Sequence, residues 1–318
     1  MKDNNSATSI SVDPLLHGSK QSGLWWGFLG VVAFSFTVPL TRIAAESGTM
    51  SPLFLGVGRA AVASVLAGLI LIFVGRQRRG TTAALRIPSR TQCLRLLLVA
   101  GGIVLGFPLL TSFALAHTSA SHGAVVIALL PAATAAAAVF RTREATGLRF
   151  WLMAGASAVV AVVFALVHGD GFGELGAADA LLFAAVVAAA IGYAEGGVLA
   201  RELGSWQTVS WALVLSAPIT VGLTLASAAA APPHGTMIEW AAFGYLAVVS
   251  MFLGFFAWYR GLAVGPMAQV SQVQLSQPVM SLVWATVLLG ETLEWETVIC
   301  GVAVIGCAAL TVRTRLRS

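Results

Sequence analysis

Ten stretches of about twenty mostly apolar residues, separated by short polar segments, constrain this chain more than any other feature. They fall near 24–45, 51–75, 94–116, 121–140, 148–168, 177–200, 206–229, 239–260, 266–289 and 295–312. A membrane-crossing helix needs about 20 such residues. Hydrocarbon offers no water to unpaired backbone groups, so runs of this kind must be helical. The expected fold is therefore an all-α polytopic membrane protein with ten transmembrane helices. Composition agrees: 58% of the 318 residues are hydrophobic and 10% are charged, against about 25% charged in a soluble domain. Residues 1–22 are polar and lack the apolar core of a signal peptide, so they read as a disordered cytoplasmic tail.

The charges orient the runs. With the N-terminus cytoplasmic, sixteen of the eighteen Lys and Arg fall in or beside cytoplasmic segments. These include Lys2 and Lys20; Arg76, Arg78, Arg79, Arg86, Arg90 and Arg95; Arg141, Arg143 and Arg149; Arg201; Arg260; and Arg313, Arg315 and Arg317. The outer loops carry acids instead: Glu46; Asp170, Glu174 and Asp179; Glu291, Glu294 and Glu296. This obeys the positive-inside rule and puts both termini in the cytoplasm. It also accounts for the net charge of +5 without a nucleic-acid partner.

The chain contains itself twice. Setting "ALAHTSASHGAVVIALLPAATAAAAVFRTREA" (114–145) on "GLAVGPMAQVSQVQLSQPVMSLVWATVLLGET" (261–292) puts Leu115 on Leu262, Pro131 on Pro278 and Glu144 on Glu291, a spacing of 147 residues. Earlier in each half Arg42 matches Arg201, and Ser51 matches Ser210, at a spacing of 159. Five spans per half is an odd number, so the second copy enters the membrane upside down. The expected units are 23–169 and 176–313, an inverted pair of five-helix repeats of the kind found in secondary transporters, whose substrate sites lie between the repeats.

Two segments carry a family resemblance: "SPLFLGVGRAAVASVLAG" (51–68), and "SQVQLSQPVMSLVWATVLLGETL" (271–293) with its Gly290–Glu291 ending. The chain resembles the EamA-like branch of the drug/metabolite transporter superfamily over nearly everything after residue 23. The first half keeps Glu144 without the glycine. The resemblance implies a ten-span inner-membrane carrier, often an exporter of amino acids or other small metabolites. It also implies a central cavity lined by spans 1, 3, 4, 6, 8 and 9.

Polar groups inside the spans are the candidate site residues, because charge in hydrocarbon is costly and turns toward the bundle interior or water. Glu195 lies about 27 Å into span 6 at 1.5 Å per residue, beside Tyr193 and among Gly192, Gly196 and Gly197. It reads either as a proton-coupling or amine-binding carboxylate, or as a charge paired with Arg201 or Arg260. Arg59 in span 2 reads either as snorkelling outward or pairing with Glu46, or as an anion site. Span 9 offers Gln269, Gln272, Gln274, Gln277, Ser271, Ser276 and Ser281 as a substrate-coordinating wall or as interhelical hydrogen bonds. Gln272 and Gln274 are the strongest candidates among them. Tyr259, a further candidate for substrate binding, closes span 8 next to Trp258, which reads as an interface anchor or as a ring that stacks in the cavity. Pro131 and Pro278, related by the repeat, are candidate hinges. His117, His122, His168 and His234 all lie on the outer side, as loop polarity or as a pH-sensing outer gate. Cys93, Cys300 and Cys307 have no metal or disulfide spacing.

The expected function is a secondary transporter of a small neutral or zwitterionic solute in the cell inner membrane, exporting, with a proton gradient as the candidate energy source. Facilitated diffusion or import of the same solutes is the alternative. No HExxH and no P-loop appear, so an embedded enzyme or an ATP-driven pump is not expected. No cofactor or metal is expected. The partners are the solute and membrane lipids, and a homodimer stays open.

Overall fold

The computed structural model describes residues 14–77, 87–143, 147–168, 176–264, 270 and 273–315. Gln269, Ser271, Gln272, Glu144, Asp170 and Glu174 lie outside them, as do Lys2, Arg78, Arg79, Arg86 and Arg317.

Regular structure is helical throughout, with no strand among the described residues. We number ten helical segments. α1 runs Pro14–Ser35 and, past Phe36, Thr37–Ala45. α2 is Pro52–Gln77, and α3 spans Arg90–Leu115. α4 is Ala120–Ile127 and Leu130–Thr142. α5 is Leu148–His168, α6 Ala177–Leu203 and α7 Ser205–Ala230. α8 spans Met237–Val264, α9 Gln274–Leu289 and α10 Trp295–Arg315. Seven of these are long and apolar enough to cross a membrane, and α5, α9 and α10 contribute shorter apolar helices. α1 is helical from Pro14, so residues 14–22, expected in the disordered tail, belong to the first helix.

The repeat is visible in local geometry. α3 and α8 both open on a capping box, in which a hydroxyl and the side chain three residues on satisfy each other's backbone N–H groups. The pairs are Ser89 with Gln92, and Thr236 with Glu239. Both helices then loosen into a π-helical stretch, Ala100–Gly106 and Leu246–Gly254. α4 and α9 each carry a thirteen-residue helix with proline in its first turn, Leu130–Thr142 and Gln277–Leu289. Both end in a left-handed residue, Arg143 (φ 56°) and Gly290 (φ 66°). The missing glycine of the first half has thus not changed the backbone. The earlier 159-residue match fares differently: Ser51 precedes α2, whereas Ser210 sits inside α7.

Packing follows the same relation. α1 packs on α8 as α6 packs on α3, and α4 on α6 as α9 on α1. α2–α7, α4–α9 and α5–α10 each pair with their own counterparts. Exchanging the halves maps these contacts onto themselves. Glycines permit the closest crossings. A Cβ on Gly102 would stand 2.3 Å from the Ala188 carbonyl oxygen, and one on Gly261 would stand 2.6 Å from the Gly27 nitrogen. In lipid, such small-residue contacts let helix backbones approach.

Candidate functional site

Proline shapes the centre of the bundle. α4 breaks at Ala128–Leu129 just before Pro131, and α9 opens with a 3-10 turn, Gln274–Ser276, just before Pro278. A proline cannot donate to the carbonyl one turn back and clashes with it, so each break follows from its proline. Between the two lies a narrow cavity, walled by α1, α4 and α9, with room for about one water molecule. Pro131 and Pro278 both line it. The repeat-related walls differ in chemistry. α4 presents Ile127 and Leu130 where α9 presents Gln274 and Gln277. Gln274 Nε2 and Gln277 Oε1 are buried without a hydrogen-bond partner among the described residues. One is a donor and the other an acceptor. An unmade bond of this kind costs about 1–3 kcal/mol, which a solute carrying both functions would relieve.

α1 is pinned to this wall. Pro39 leaves the Ser35 carbonyl, four residues back, without its helical donor. Ser281 Oγ, from the cavity wall, donates to it at 2.8 Å. Trp284 Nε1 donates to Ser35 Oγ at 3.0 Å, and the Trp284 ring stacks on Phe36 with centroids 4.3 Å apart. Ser276 turns back instead, donating to the Val273 carbonyl at 2.7 Å.

Glu195 does not line the cavity. Its carboxylate accepts from Arg95 Nε and Arg141 Nε, and from Arg141 Nη2 at 3.2 Å. Arg95 also holds Glu202 at 2.7 Å, which Gln92 Nε2 reaches at 3.1 Å. The expected pairing with Arg201 or Arg260 is replaced by arginines of α3 and α4, because α6 packs against those two helices. Arg260 lies instead over the Trp26 ring, 5.4 Å from its centroid. Tyr193, two residues before Glu195, points into an aromatic cluster with Phe34, Phe255 and Trp258. Tyr259 is fully buried. Its hydroxyl is 3.5 Å from the Gly192 carbonyl, and a Cβ on Gly196 would fall 2.0 Å from it. The glycines around Glu195 therefore seat Tyr259 and α3.

Arg59 neither snorkels outward nor pairs with the exposed Glu46; it is 1% exposed. It donates to Pro108 O at 2.8 Å, Thr111 Oγ1 at 3.1 Å and Thr41 Oγ1 at 3.3 Å, while its Nε has no partner among the described residues. Among the described residues no carboxylate pairs with it. Thr41 stands one turn along α1 from Val38, which lines the cavity. Arg42 caps α3, donating to the Leu115 and Ala116 carbonyls.

His122 is no loop residue. It is buried in the first turns of α4, with Nε2 2.6 Å from Asp179 Oδ1 of α6. Glu291 caps the same end of α4, accepting from the Ala120 and Ser121 N–H groups at 2.8 Å each.

The model of the EamA-like transporter family matches residues 21–167 and again 176–313. The chain belongs to that family. A Bacillus subtilis (strain 168) protein named an uncharacterized transporter, YdeK, is 43% identical over 292 residues, covering 89% of this chain and 94% of that protein. A solved crystal structure superposes with a TM-score of 0.60 at 20% identity, covering 94% of this chain and all of that one; at that identity it speaks for the fold. As an EamA-like protein the chain is a multi-pass membrane transporter. Its Gly290–Glu291 ending now has a physical role: the glycine takes the left-handed turn, and the glutamate reaches back to cap α4. Ser281 makes the interhelical hydrogen bond that the sequence offered as one reading of span 9, and the four-residue offset from Pro39 back to Ser35 is the signal for the carbonyl it meets. Sequence reading missed the roles of Trp284 and Asp179 and the partner of His122.

Proposed function

We propose that this transporter carries a small neutral or zwitterionic solute by alternating access between two inverted five-helix repeats. It does so with ten spans and both termini in the cytoplasm of a cell whose inner membrane holds it. We take export as its direction, as the family resemblance implies. The observation that carries the reading is the cavity between Pro131 and Pro278, where a buried amide donor and a buried amide acceptor have no partner among the described residues. In this conformation the cavity is too small for a metabolite, so admitting one requires α4 and α9 to part, and their proline breaks are where they bend. Arg59 of α2, bonded to Thr41 one turn along α1 from the cavity wall, offers a carboxylate end a cation that no carboxylate among the described residues pairs with. Glu195 ties α6 to α3 and α4 at the cytoplasmic end.

Segment ends that should share a membrane face do meet. Ser47 N donates to Glu239 of α8, and Ser51 bonds Ser227 of α7. At the other face the α3 entry bonds the α6 exit through Gln92 and Glu202. This supports the alternation of spans.

The test is a resistance screen in a bacterial host. Wild type, Gln274→Leu and Gln277→Leu are expressed at equal membrane levels and challenged with toxic amino-acid analogues, nucleobase analogues and cationic dyes. Protection by wild type against one class, lost in both variants, is expected. Sensitisation means uptake and reverses the direction; protection that survives both variants removes the amides from the site.

A further inference from the structure

α4 and α6 belong to different repeats, and charge ties them at both ends. At one end Arg141 and Arg95 hold Glu195. At the other, His122 meets Asp179. Sixteen residues separate the two acids on α6, about 24 Å at 1.5 Å per residue, so the two contacts sit near opposite faces of the membrane. They differ in one chemical respect. Guanidinium stays protonated at any physiological pH, so the Arg–Glu tie is permanent. Imidazole changes charge between about pH 5 and 8.

Both partners of the second tie are buried, at 7% and 2% exposure. Asp179 Oδ2 accepts from the Gly176 N–H at 3.1 Å, and the His122 ring lies 5.1 Å from the Phe164 ring of α5. Other charged groups occupy the elements packed on this end of α4. Glu291, after α9, is engaged with the Ala120 and Ser121 N–H groups, and Arg42 of α1 with carbonyls. Glu294 and Glu296 flank the start of α10, and His117 precedes α4. Among the described residues only Asp179 pairs with the imidazole.

We propose that His122 and Asp179 form a proton-binding site on the outer seam between the repeats, so that a proton is the coupling ligand of the transport cycle. This rests on the transporter reading above. A ring carrying protons on both nitrogens is a cation matched to the Asp179 carboxylate, and the seam stays shut. When the ring gives up one proton, Asp179 is left as a buried negative charge without a matching cation, an arrangement that is strongly disfavoured. Opening the seam lets water reach it. Acid therefore favours closure and alkali favours opening.

The test is electron–electron distance measurement on the full-length chain in liposomes, with Cys93, Cys300 and Cys307 replaced by Ser. Spin labels sit at the exposed positions Ser119→Cys and Ala180→Cys. The proton alone is the probe, from about pH 5 to about pH 8. The short-distance population should dominate in acid and fall as pH rises, with the open-to-closed ratio changing by up to about tenfold per pH unit for one proton. His122→Gln and Asp179→Asn should each flatten that response, while Glu195→Gln should keep it. An unchanging distribution in the parent protein overturns the proposal, as does a response that survives both variants; the parent's own titration decides the matter if a variant fails to fold. A parent that protects cells in the resistance screen yet ignores pH sinks the proton site alone. A seam that responds in a chain moving no solute supports the proton site and counts against the transport reading.

Discussion

At Gln274 and Gln277 the demands of stability and of binding separate. A buried amide atom without a partner lowers stability by about 1–3 kcal/mol, and an apolar group of similar shape removes that cost. Gln274→Leu and Gln277→Leu are therefore expected to hold or raise the thermal unfolding midpoint in detergent while abolishing solute protection. A fall in both readouts would mean the amides hold the bundle together. Glu195 predicts the opposite. Glu195→Gln removes a charge shared by two arginines, and losing one partner of a fully buried pair costs about 3–5 kcal/mol. Arg141 is 43% exposed and water takes up part of its charge, so a loss of about 1–3 kcal/mol is expected, read as a lower unfolding midpoint. An unchanged midpoint would deny Glu195 this structural part. The polarity of span 9 pointed to Gln274 from the sequence alone, because so many amides and hydroxyls on one apolar helix need a reason. The partners of Glu195 were not legible: Arg95 lies a hundred residues away, and only the packing of α6 on α3 brings it there.

At the scale of the helices, the apolar runs and prolines placed most of the elements, since lipid leaves the backbone no alternative to the helix. The glycine crossings were less legible. Eight of the described glycines have open space where a Cβ would stand, and only neighbours in three dimensions tell the two kinds apart. Gly101 and Gly102 are adjacent in α3 and make the contrast testable. A Cβ on Gly101 meets nothing within 4 Å, whereas one on Gly102 would press on backbone of α6, which cannot swing aside. Gly102→Ala should destabilise by about 1–3 kcal/mol, the usual range for overpacking. Gly101→Ala should be neutral or stabilise by up to about 1 kcal/mol through reduced unfolded-state entropy. Comparing the two unfolding midpoints checks this; equal effects would deny the close α3–α6 crossing. Gly261→Ala at the repeat-related α1–α8 crossing should behave as Gly102→Ala does.

For the whole molecule, the repeat read from a 147-residue spacing reappears as matched capping boxes, matched π-helical stretches and a packing pattern that survives exchange of the halves. At the cavity the departures from symmetry lie in side chains: Ile127 and Leu130 stand against Gln274 and Gln277. Repeat-related helices with unlike walls are what the proposed alternating carrier of a solute with unlike ends calls for. Which face is which comes from the arginines, and it makes a prediction. With the native cysteines replaced, Ser119→Cys before α4 and Ser89→Cys before α3 are both exposed. They flank α3 at opposite ends. An impermeant maleimide added to intact cells should label position 119 and should label position 89 only after permeabilisation. The reverse pattern would invert the topology and with it the side from which His122 meets protons. Labelling of both in intact cells would mean α3 does not cross the membrane at all, and the inverted-repeat arrangement would fall with it.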